Sequence, residues 1–369
     1  MIVREITLEG FRNYDRAAVA LSPGINVIAG ENAQGKTNLL EAVFLLSCGR
    51  GFRTRLDSEL ISFESETARV AARVFSQERE QTISVTMARG RRKQILVNGV
   101  RKNANELADS LRVVLFCPDD LNMIREGAKE RRRFLDMAIS QLRPNYGKLL
   151  TDYNRLADSK RRILTDWHEK PPLLDALDDY SEQMARISAQ LVRYRAAFCR
   201  RLAETATPIH AEFSGSGEAL GLEYKTVSTV TDPFAPASEI YEQIMAHQRA
   251  HREAEIASES LLTGVHKDDL EVSIGGRSAR LFASQGQTRT AALSLKMAER
   301  EISTQDTGEC PILLLDDVLS ELDARRQEYV LNRIGGGQTL ITCCEDGGIR
   351  ERTGGRVFTV SAGSVKEEG

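Results

Sequence analysis

The sequence predicts an α/β fold that is interrupted by an α-helical arm, and three observations lead to this class. Residues 28–44, IAGENAQGKTNLLEAVF, join an apolar strand to a helix through a glycine-containing loop. Residues 310–317, CPILLLDD, form a continuous apolar run, which is typical of a strand buried on both faces of a parallel sheet. Residues 126–205 instead carry apolar side chains at helical spacing, so a helical segment separates two α/β regions.

The α/β regions are predicted from short apolar or alternating runs on either side of the helical segment. In the first 118 residues these runs are IVREITLEGF, INVIAG, TARVAARVF, TISVTMA, QILVNGVRK and VVLFCP. Asn98-Gly99 in the fifth run marks a hairpin turn. After the helical segment, DDLEVSIGGRSARLF predicts a hairpin, RTAALSLKMAEREI a helix, and GQTLITCC and GRVFTVSA two closing strands.

The helical segment predicts two long helices separated by Pro171-Pro172, because proline breaks a helix interior. Their apolar positions are Leu149, Tyr153, Leu156, Ile163 and Trp167, interrupted by Lys160, and then Met184, Ile187, Leu191, Tyr194 and Phe198. This spacing fits a projecting antiparallel hairpin and two ordinary core-facing helices equally well. We therefore predict one discontinuous α/β domain, residues 1–124 and 261–369, interrupted by a helical arm and connecting segment, residues 125–260.

Composition is that of a globular protein with two or three domains. The 369 residues are 41% apolar and 28% charged, and the net charge of −3 predicts no overall positive field. Charge is nevertheless uneven: residues 125–205 hold 17 Lys/Arg against 12 Asp/Glu, whereas residues 206–260 hold 3 against 9. A basic arm beside an acidic segment can therefore hide a nucleic-acid surface in the whole-chain total.

Neither a membrane span nor a signal peptide is predicted. No apolar run approaches the ~20 residues that a span needs, and the N-terminal MIVREITLEGF is too charged for a signal peptide. The six cysteines are scattered, and none lies with histidine at zinc spacing. We expect reduced thiols and a cytoplasmic protein without a membrane partner.

The motif Gly30-x4-Gly35-Lys36-Thr37 is a phosphate-binding loop, and its position between an apolar strand and a predicted amphipathic helix supports that reading. The apolar residues of this helix are Leu39, Leu40, Val43 and Phe44. Backbone amides of the loop and the helix N-terminus would face an anion. Lys36 would reach the β- and γ-phosphates, and Thr37 would offer its hydroxyl to Mg²⁺. The predicted nucleotide-binding residues are Gly30, Glu31, Asn32, Ala33, Gln34, Gly35, Lys36, Thr37 and Asn38.

Two carboxylates, Asp316 and Asp317, end the apolar run at residues 310–317. They predict the catalytic residues of the site. Asp316 would bind Mg²⁺, and Asp317 would accept a proton from the attacking water. Two adjacent like charges at a strand end also favour a bound cation. With Lys36 they form the predicted catalytic set.

Two further segments carry a family resemblance. Ser284-Gln285-Gly286-Gln287, within FASQGQTRTAALSLKMAE, resembles the signature of the ABC-type ATPase heads of SMC-like DNA repair proteins. Ser320-Glu321-Leu322-Asp323 resembles their D-loop. GENAQGKTNLLEAVFLLSCGRGFRT, VLFCPDDL, ERRRFLD, GVHKDDL and ASQGQTRT look, in order, like segments of the RecF family of bacterial recombination mediators. This resemblance runs from Met1 to near Ala362.

The resemblance implies a P-loop NTPase of the ABC type whose head carries an inserted helical arm. It implies that two copies share two ATP molecules head to tail, with Mg²⁺. Ser284, the backbone of the following residues and Asp323 would then meet the nucleotide held by the other copy. It also implies double-stranded, gapped or junction DNA as ligand, RecR with RecO as partners, and help in recombinase loading.

Departures from the family pattern favour slow, switch-like hydrolysis. Asp317 stands where ABC transporter heads usually place Glu, and Thr342 lies near the expected place of a His. Ala33 replaces a loop Gly, which is tolerable if its φ is negative. His266-Lys267-Asp268-Asp269 predicts either a structural turn or a contact between copies.

Basic clusters are the candidate DNA contacts, and their binding would be sequence-independent and salt-sensitive. They are Arg50, Arg53 and Arg55; Arg89, Arg91, Arg92 and Lys93; Arg131, Arg132 and Arg133; and Lys160, Arg161 and Arg162. The alternative is a solvated basic face or pairing with the acidic residues 206–260.

Three other functions are weaker fits to the sequence. A transporter ATPase subunit has no use for a basic helical arm, and a small-molecule kinase has no use for the signature and D-loop segments. An SMC-like chromosome-organising ATPase needs a long coiled coil, which an arm of ~80 residues cannot form.

Overall fold

The computed structural model describes residues 1–54, 56–214, 217–344 and 348–368. The strands are β1 (Ile2–Phe11), β2 (Tyr14–Ala20), β3 (Ile25–Ala29), β4 (Thr67–Ser76), β5 (Arg79–Ala88), β6 (Gln94–Val97), β7 (Val100–Arg101), β8 (Val113–Phe116), β9 (Leu220–Lys225), β10 (Asp269–Ile274), β11 (Arg277–Ser278), β12 (Ile312–Asp316), β13 (Thr339–Cys343), β14 (Arg356–Ser361) and β15 (Ser364–Glu367). The helices are α1 (Lys36–Cys48), α2 (Pro118–Asn122), α3 (Ala128–Leu142), α4 (Pro144–Asp166), α5 (Leu177–Ser214), α6 (Ala237–Ser258), α7 (Ala279–Phe282), α8 (Gln285–Thr307), α9 (Ala324–Arg333) and α10 (Ile349–Thr353).

The chain divides into two compact units. The first unit contains Met1–Leu121 and Leu295–Gly369, and the second contains Asn122–Ser294. Residues 261–294, which the sequence assigned to the α/β domain, are thus compact with the helical segment. The predicted domain division at residues 124 and 261 stays a prediction.

The first unit contains two six-stranded sheets. One is antiparallel, in the order β2-β1-β4-β5-β6-β7, and the other has the order β15-β14-β3-β13-β12-β8. In the second sheet the five strands from β14 to β8 are parallel, and β15 pairs antiparallel at the edge. Every residue of β8, β12 and β13 is buried, which confirms the prediction that CPILLLDD forms a strand covered on both faces.

Helix α1 packs against strands of both sheets. It contacts β4 and β5 of the antiparallel sheet and β8, β12 and β13 of the parallel sheet. The sequence predicted an amphipathic helix, but this is wrong: ten of its thirteen residues are buried. A helix enclosed by two sheets has no solvent face, so apolar side chains surround it. The helix that follows the phosphate loop is therefore held in the core of this unit.

The strand predictions of the first unit are confirmed except for two omissions. Each of the six predicted N-terminal runs forms a strand or hairpin, and Asn98-Gly99 is the turn between β6 and β7. Strands β2 and β15 were not predicted, because YDRAAVA and SVKE are rich in alanine or charge and have little β propensity. No helix in the described ranges combines the length and apolarity that a bilayer crossing requires.

The second unit is built around α5, which contacts α3, α4, α6 and β9. The other strands of this unit, β10 and β11, complete a three-stranded antiparallel sheet with β9, as the predicted hairpin required. Met184, Leu191 and Phe198 of the predicted seam are buried along α5. The long helices therefore carry the core of this unit, which favours the core-facing reading. α5 spans 38 residues, about 57 Å at ~1.5 Å per residue, and is longer than predicted.

The segment His266-Lys267-Asp268-Asp269 is bound to buried side chains of the second unit. Arg195, 1% exposed, donates to Asp268 Oδ2 at 2.7 Å and to the carbonyl of Val265 at 2.7 Å. Tyr153 Oη lies 2.7 Å from His266 Nδ1, and burial lowers the pKa of His266 to about 4, so the ring is neutral at pH 7. These contacts favour the structural turn over a contact between copies.

Lys160 forms a buried ion pair, so its prediction as a DNA contact is wrong. Its ammonium donates to Glu255 Oε2 at 2.6 Å, and both side chains are 1% exposed. Glu255 Oε1 also accepts from the backbone amides of Leu262 and Thr263 at 2.9 and 3.1 Å. The interruption in the apolar seam of α4 is therefore the point at which α4 and α6 are joined electrostatically.

Removing one partner of this pair is expected to destabilise the second unit strongly. Lys160→Ala leaves the Glu255 carboxylate buried without its cation, so the free energy of unfolding falls by about 3–5 kcal/mol. Urea unfolding followed by circular dichroism measures the change.

The matched control is Arg161→Ala on the same helix. Arg161 is exposed and pairs only with Asp158 at 2.6 Å, so its loss changes stability by less than about 1 kcal/mol. The double variant Lys160→Met with Glu255→Gln keeps both backbone bonds, and it recovers most of the loss. Equal effects of the two alanine variants would contradict the buried pair.

Candidate functional site

The candidate site lies at the carboxyl ends of three neighbouring strands of the parallel sheet. β13 pairs with β3 on one side and with β12 on the other. In this register Thr342 of β13 stands opposite Ile28 and Asp316. The phosphate loop follows β3 and the two aspartates end β12, so the sheet brings together segments nearly 300 residues apart. Such carboxyl-end crevices are where open α/β sheets bind ligands.

The backbone of the phosphate loop has the left-handed turns that its glycines were expected to supply. Gly30 and Gly35 have φ of 151° and 120°. A Cβ atom on Gly30 would collide with the carbonyl oxygen of Val360, and one on Gly35 would approach Asn13 Nδ2 to 2.7 Å. Lys36 donates to the carbonyls of Gly30 and Glu31 at 2.6 and 2.8 Å, so its ammonium lies inside the loop.

Ala33 does not have the negative φ on which its tolerance was premised. Its φ is 64°, in the left-handed region that favours glycine. The alanine side chain is exposed, so no neighbouring group accounts for the conformation by packing on it. The loop therefore holds a locally unfavourable backbone geometry at its tip.

Side chains at the turn between β1 and β2 donate hydrogen bonds to the phosphate loop. Asn13 Nδ2 donates to the carbonyl of Gln34 at 2.8 Å, and Tyr14 Oη donates to the carbonyl of Gly35 at 3.0 Å. Asn38 Nδ2 in turn donates to Asn13 Oδ1 at 2.8 Å. These side chains satisfy loop carbonyls that would otherwise point into the binding surface.

Asp316 connects the loop helix to the sheet. Its Oδ1 accepts from Thr37 Oγ1 at 2.8 Å and from Thr342 Oγ1 at 3.0 Å. Burial raises the pKa of Asp316 above its ordinary value, while the two hydroxyl bonds and the charge of Arg53 act in the opposite direction. A carboxylate and a hydroxyl oxygen thus share one location, which is the donor set that Mg²⁺ prefers.

Asp317 is held in a left-handed conformation with φ of 53°. Its backbone amide donates to Thr342 Oγ1 at 2.8 Å, and its carbonyl accepts from Ser320 Oγ at 2.7 Å. Thr342, predicted to offer a weak hydroxyl contact in place of a His, therefore orients both aspartates. The Asp317 side chain is left to face the cavity in front of the loop.

That cavity has a volume of about 880 Å³, within the range of small-molecule sites. Its lining comes from the phosphate loop and α1, from the β1–β2 turn, from a segment ending at Ser65, and from Asp317 and Thr342. Arg53, predicted as a DNA contact, also lines it. The described lining of the cavity and the two aspartates belong to the first unit.

Arg12 is a site residue that sequence reasoning missed. It lines the cavity, and its guanidinium is fixed by the buried carboxylate of Glu41 at 2.7 Å and by the carbonyl of Glu59 at 2.9 Å. It and Asn13 form the turn between β1 and β2, and the second of these strands was not predicted. A turn-favouring Asn after an apolar strand was the available signal.

The signature segment lies in the second unit and opens α8 with a capping box. Ser284 Oγ accepts from the amide of Gln287 at 3.2 Å, and Gln287 Oε1 accepts from the amide of Ser284 at 2.7 Å. The helix begins at Gln285, earlier than the predicted start after Gln287. Ser284 and Gln285 are exposed, and Gly286 is partly so.

Asp323 of the D-loop caps another helix. Its Oδ1 accepts from the amide of Arg326 at 2.9 Å at the start of α9, and its other oxygen pairs with the guanidinium of the same residue. The side chain is exposed, so this cap leaves it on the surface of the first unit.

The predicted DNA contacts divide by burial. Arg131 is 4% exposed and binds both oxygens of Asp269 at 2.7 and 2.8 Å, so its prediction as a surface contact is wrong. Arg132 is half-buried and donates to the carbonyl of Asp268. Lys93 pairs with Asp57 at 2.8 Å. The exposed candidates are Arg50, Arg53, Arg89, Arg91, Arg92, Arg133, Arg161 and Arg162. Arg55 lies outside the described residues.

Comparison with known proteins identifies the relatives of this chain. Residues 2–358 match the family described as the RecF/RecN/SMC N terminal domain. The DNA replication and repair protein RecF of Symbiobacterium thermophilum is 40% identical over 374 residues, covering 99% of this chain and 98% of the relative. That of Acetivibrio thermocellus is 37% identical over 346 residues, covering 94% of both. The chain belongs to the RecF family.

Solved structures of RecF share the whole architecture. A structure of the recombination mediator protein RecF-ATPrS in the RecFOR pathway superimposes with a TM-score of 0.93 at 33% identity, covering 100% of this chain and 98% of that one. The RecF-ATP structure gives 0.91 at 33% identity, with 100% and 97% coverage. An Smc head domain from Pyrococcus furiosus gives 0.57 at 17% identity, with 99% and 95% coverage, and shares the fold. The predicted ABC-type head with an inserted helical segment is thereby confirmed.

Asp316→Asn is expected to stabilise the nucleotide-free protein while abolishing Mg²⁺-dependent hydrolysis. An amide oxygen can still accept from Thr37 and Thr342, but no charge is buried. The midpoint of thermal unfolding should rise by about 2 °C at pH 7 in calorimetry.

The pH dependence provides the control for Asp316→Asn. Because the folded pKa of Asp316 is raised, the charge destabilises the native state above the unfolded pKa, and this penalty disappears as the group is protonated. The difference from wild type should therefore vanish below about pH 4. Asp109→Asn, at an exposed carboxylate of the same unit, should change the midpoint by less than about 1 °C. A destabilised Asp316→Asn at pH 7 would contradict the argument.

Proposed function

We propose that this chain is an ATP-dependent DNA-binding protein of recombinational repair and replication restart. Two copies bind ATP and close as a clamp on duplex or gapped DNA, and slow DNA-stimulated hydrolysis reopens the clamp. The observation that carries this proposal is the 2.8 Å bond between Asp316 and Thr37, a residue that lines a cavity of nucleotide size. It joins the phosphate loop to the carboxylate pair, as nucleotide hydrolysis requires.

The residues present fit a magnesium ion. Thr37 Oγ1 and Asp316 Oδ1 are hard oxygen donors, and the raised pKa of Asp316 means that a cation would relieve the burial of its charge. Bound there, Mg²⁺ would neutralise charge on the phosphate oxygens. Lys36 would bind the same oxygens from inside the loop, and Asp317 would hold the attacking water and accept its proton.

The geometry of Asp317 supports the proposal of slow turnover. The side chain is one methylene shorter than the Glu usual in transporter heads, and its backbone is fixed by Thr342 and Ser320. Thr342 uses its hydroxyl on the two aspartates, so little capacity remains for a phosphate oxygen. These features suit a slowly hydrolysing switch better than a motor.

Two copies are needed because one chain carries one phosphate loop and one signature segment. The described lining of the cavity comes from the first unit, whereas Ser284 is exposed at the start of α8 in the second. The start of α8 carries the positive end of its helix dipole, which suits an anion, and each γ-phosphate would add contacts that exist only in the dimer. Asp323, also exposed, is a second candidate at this contact.

The partners are proposed from the relatives. The solved RecF structures are described as those of a recombination mediator in the RecFOR pathway. This description supports RecR and RecO as partners, and a recombinase as the protein whose loading is assisted. Such a role places the protein in the cytoplasm at the nucleoid. An SMC-like chromosome organiser is disfavoured, because α5 is about 57 Å long and cannot bridge distant DNA segments.

The dimer is tested by the mass of Asp317→Asn in ATP and Mg²⁺. The substitution keeps the backbone bonds of residue 317 and the phosphate loop, but the amide cannot accept the proton, so ATP stays bound. Light scattering should show the mass doubling from 41.0 kDa only with ATP.

Two controls accompany the mass measurement. Lys36→Ala, combined with Asp317→Asn, should remain monomeric because the phosphates lose their main cation. Asp175→Asn, at an exposed carboxylate of the second unit, should behave as wild type. A monomer of Asp317→Asn in ATP, even with duplex DNA present, would exclude the clamp.

The DNA surface is tested by Arg91→Glu with Arg92→Glu in the turn before β6. Both arginines are exposed, and losing two phosphate contacts should weaken duplex binding and reduce the salt slope of log Kd by about 2. ATP affinity should be unchanged, because neither residue lines the cavity. Fluorescence anisotropy with labelled duplex measures both quantities.

The charge-matched control for this surface is Arg16→Glu with Arg79→Glu, on exposed positions of the same sheet. It makes the same change in net charge, so any shared loss reflects the general field. Equal binding by both double variants at low salt would remove the β5–β6 turn from the DNA surface.

A further inference from the structure

Phe63 is an aromatic side chain with no packing partner, at the edge of the nucleotide cavity. Its relative exposure is 101%, the highest among the large hydrophobic residues that are exposed in the described ranges. It lines the same cavity as the phosphate loop, together with Ile61, Ser62, Glu64 and Ser65. A solitary exposed apolar residue needs no explanation elsewhere on a surface, but its place at a ligand cavity does.

The segment that carries Phe63 is held in one conformation by backbone bonds. Ile61 bridges to Phe11, and the amide of Ser62 donates to the carbonyl of Gly10 at 2.8 Å. The amide of Ser65 donates to the carbonyl of Ser62 at 3.2 Å, which closes a turn with Phe63 and Glu64 at its tip.

Arg89 fixes the same turn from its other side. Its guanidinium donates to the carbonyl of Ser62 at 3.0 Å and to that of Ser65 at 3.3 Å. Arg89, counted among the candidate DNA contacts, thus has a structural role here. The backbone on either side of Phe63 is therefore fixed, so only the rotamers of its own side chain remain to be ordered when a ligand covers the ring.

The composition of the cavity separates two kinds of contact. The phosphate loop, Lys36 and Arg53 supply amides and positive charge, which suit phosphate oxygens. Phe63 supplies a flat apolar face, which suits a heterocyclic base, and the volume of about 880 Å³ leaves room for both ends of a nucleotide. Base stacking on an aromatic ring is sequence-tolerant but favours larger ring systems.

We propose that Phe63 is the base-stacking residue of this site, and that it gives the site its preference for a purine nucleoside triphosphate. The proposal rests on the proposed function, since it assigns the base end of a cavity whose phosphate end binds ATP. Phe63 is a specificity-determining residue: it touches the base, and it takes no part in proton transfer or phosphate binding.

The test compares ligands with and without a base. Isothermal titration of the full chain with ATP, CTP and inorganic tripolyphosphate, each with Mg²⁺, is carried out for wild type and for Phe63→Ala. Phe63→Ala should weaken ATP binding about tenfold and CTP binding less, and should leave tripolyphosphate binding unchanged. Phe63→Trp should restore ATP affinity, and its indole fluorescence should be quenched by ATP but not by tripolyphosphate.

Two further variants separate this proposal from the proposed function. Leu56→Ala removes a nearby exposed apolar side chain that does not line the cavity, and it should bind all three ligands as wild type. Lys36→Ala should lose ATP and tripolyphosphate together. If wild type bound neither ligand, the proposed function would fail before Phe63 was tested.

Two outcomes would overturn the assignment while leaving the nucleotide site intact. One is an unchanged ATP affinity in Phe63→Ala together with intact tripolyphosphate binding. The other is an equal loss of ATP and tripolyphosphate affinity, which would assign Phe63 to the shape of the loop rather than to the base. An unchanged ATP affinity combined with weaker binding of duplex DNA, or with loss of the ATP-dependent mass increase, would assign the ring to a macromolecular contact instead.

Discussion

The arrangement of the site depends on a buried carboxylate that receives two threonine hydroxyls. Asp316 at the end of β12 accepts from Thr37 at the start of α1 and from Thr342 of β13, so one side chain joins these three elements. Its burial raises its pKa, so the protein carries an electrostatic penalty there that a cation would relieve. Stability and metal affinity therefore act in opposite directions at this residue, as is common where a site is built for function.

The backbone conformation of the site likewise opposes the stability of the protein to the function of the site. Ala33 in the phosphate loop and Asp317 after β12 both have positive φ, at 64° and 53°, and both line the cavity. Aspartate tolerates this region through its short polar side chain, whereas alanine gains nothing comparable. The surrounding bonds of Thr342, Ser320 and Asn13 hold these segments in place, so the strain is distributed within a supported frame rather than released.

Local pattern was enough to predict the strand, loop and helix of the phosphate site and the buried strand that ends in Asp316. Prediction from the local pattern failed where the partner of a side chain lies far away in the sequence, or where a single residue has an uncommon backbone conformation. Arg131 and Lys160 were taken for surface cations, because their partners lie 138 and 95 residues away in sequence. The φ of Ala33 and the support from Asn13 required the unpredicted strand β2. A charged residue in a helix predicts an exposed position only as long as no buried carboxylate is known to pair with it.

The second unit uses buried charge to fix what would otherwise be irregular chain. Arg195 and Arg131 bind Asp268 and Asp269, which stand immediately before or at the start of β10. The β10–β11 hairpin leads within six residues to Ser284, whose capping box defines the first turn of α8. In the proposed dimer the signature segment meets a ligand held by the other copy, and that ligand cannot order the segment before the dimer forms. Its order must come from its own chain, and the buried arginines together with the capping box supply it locally.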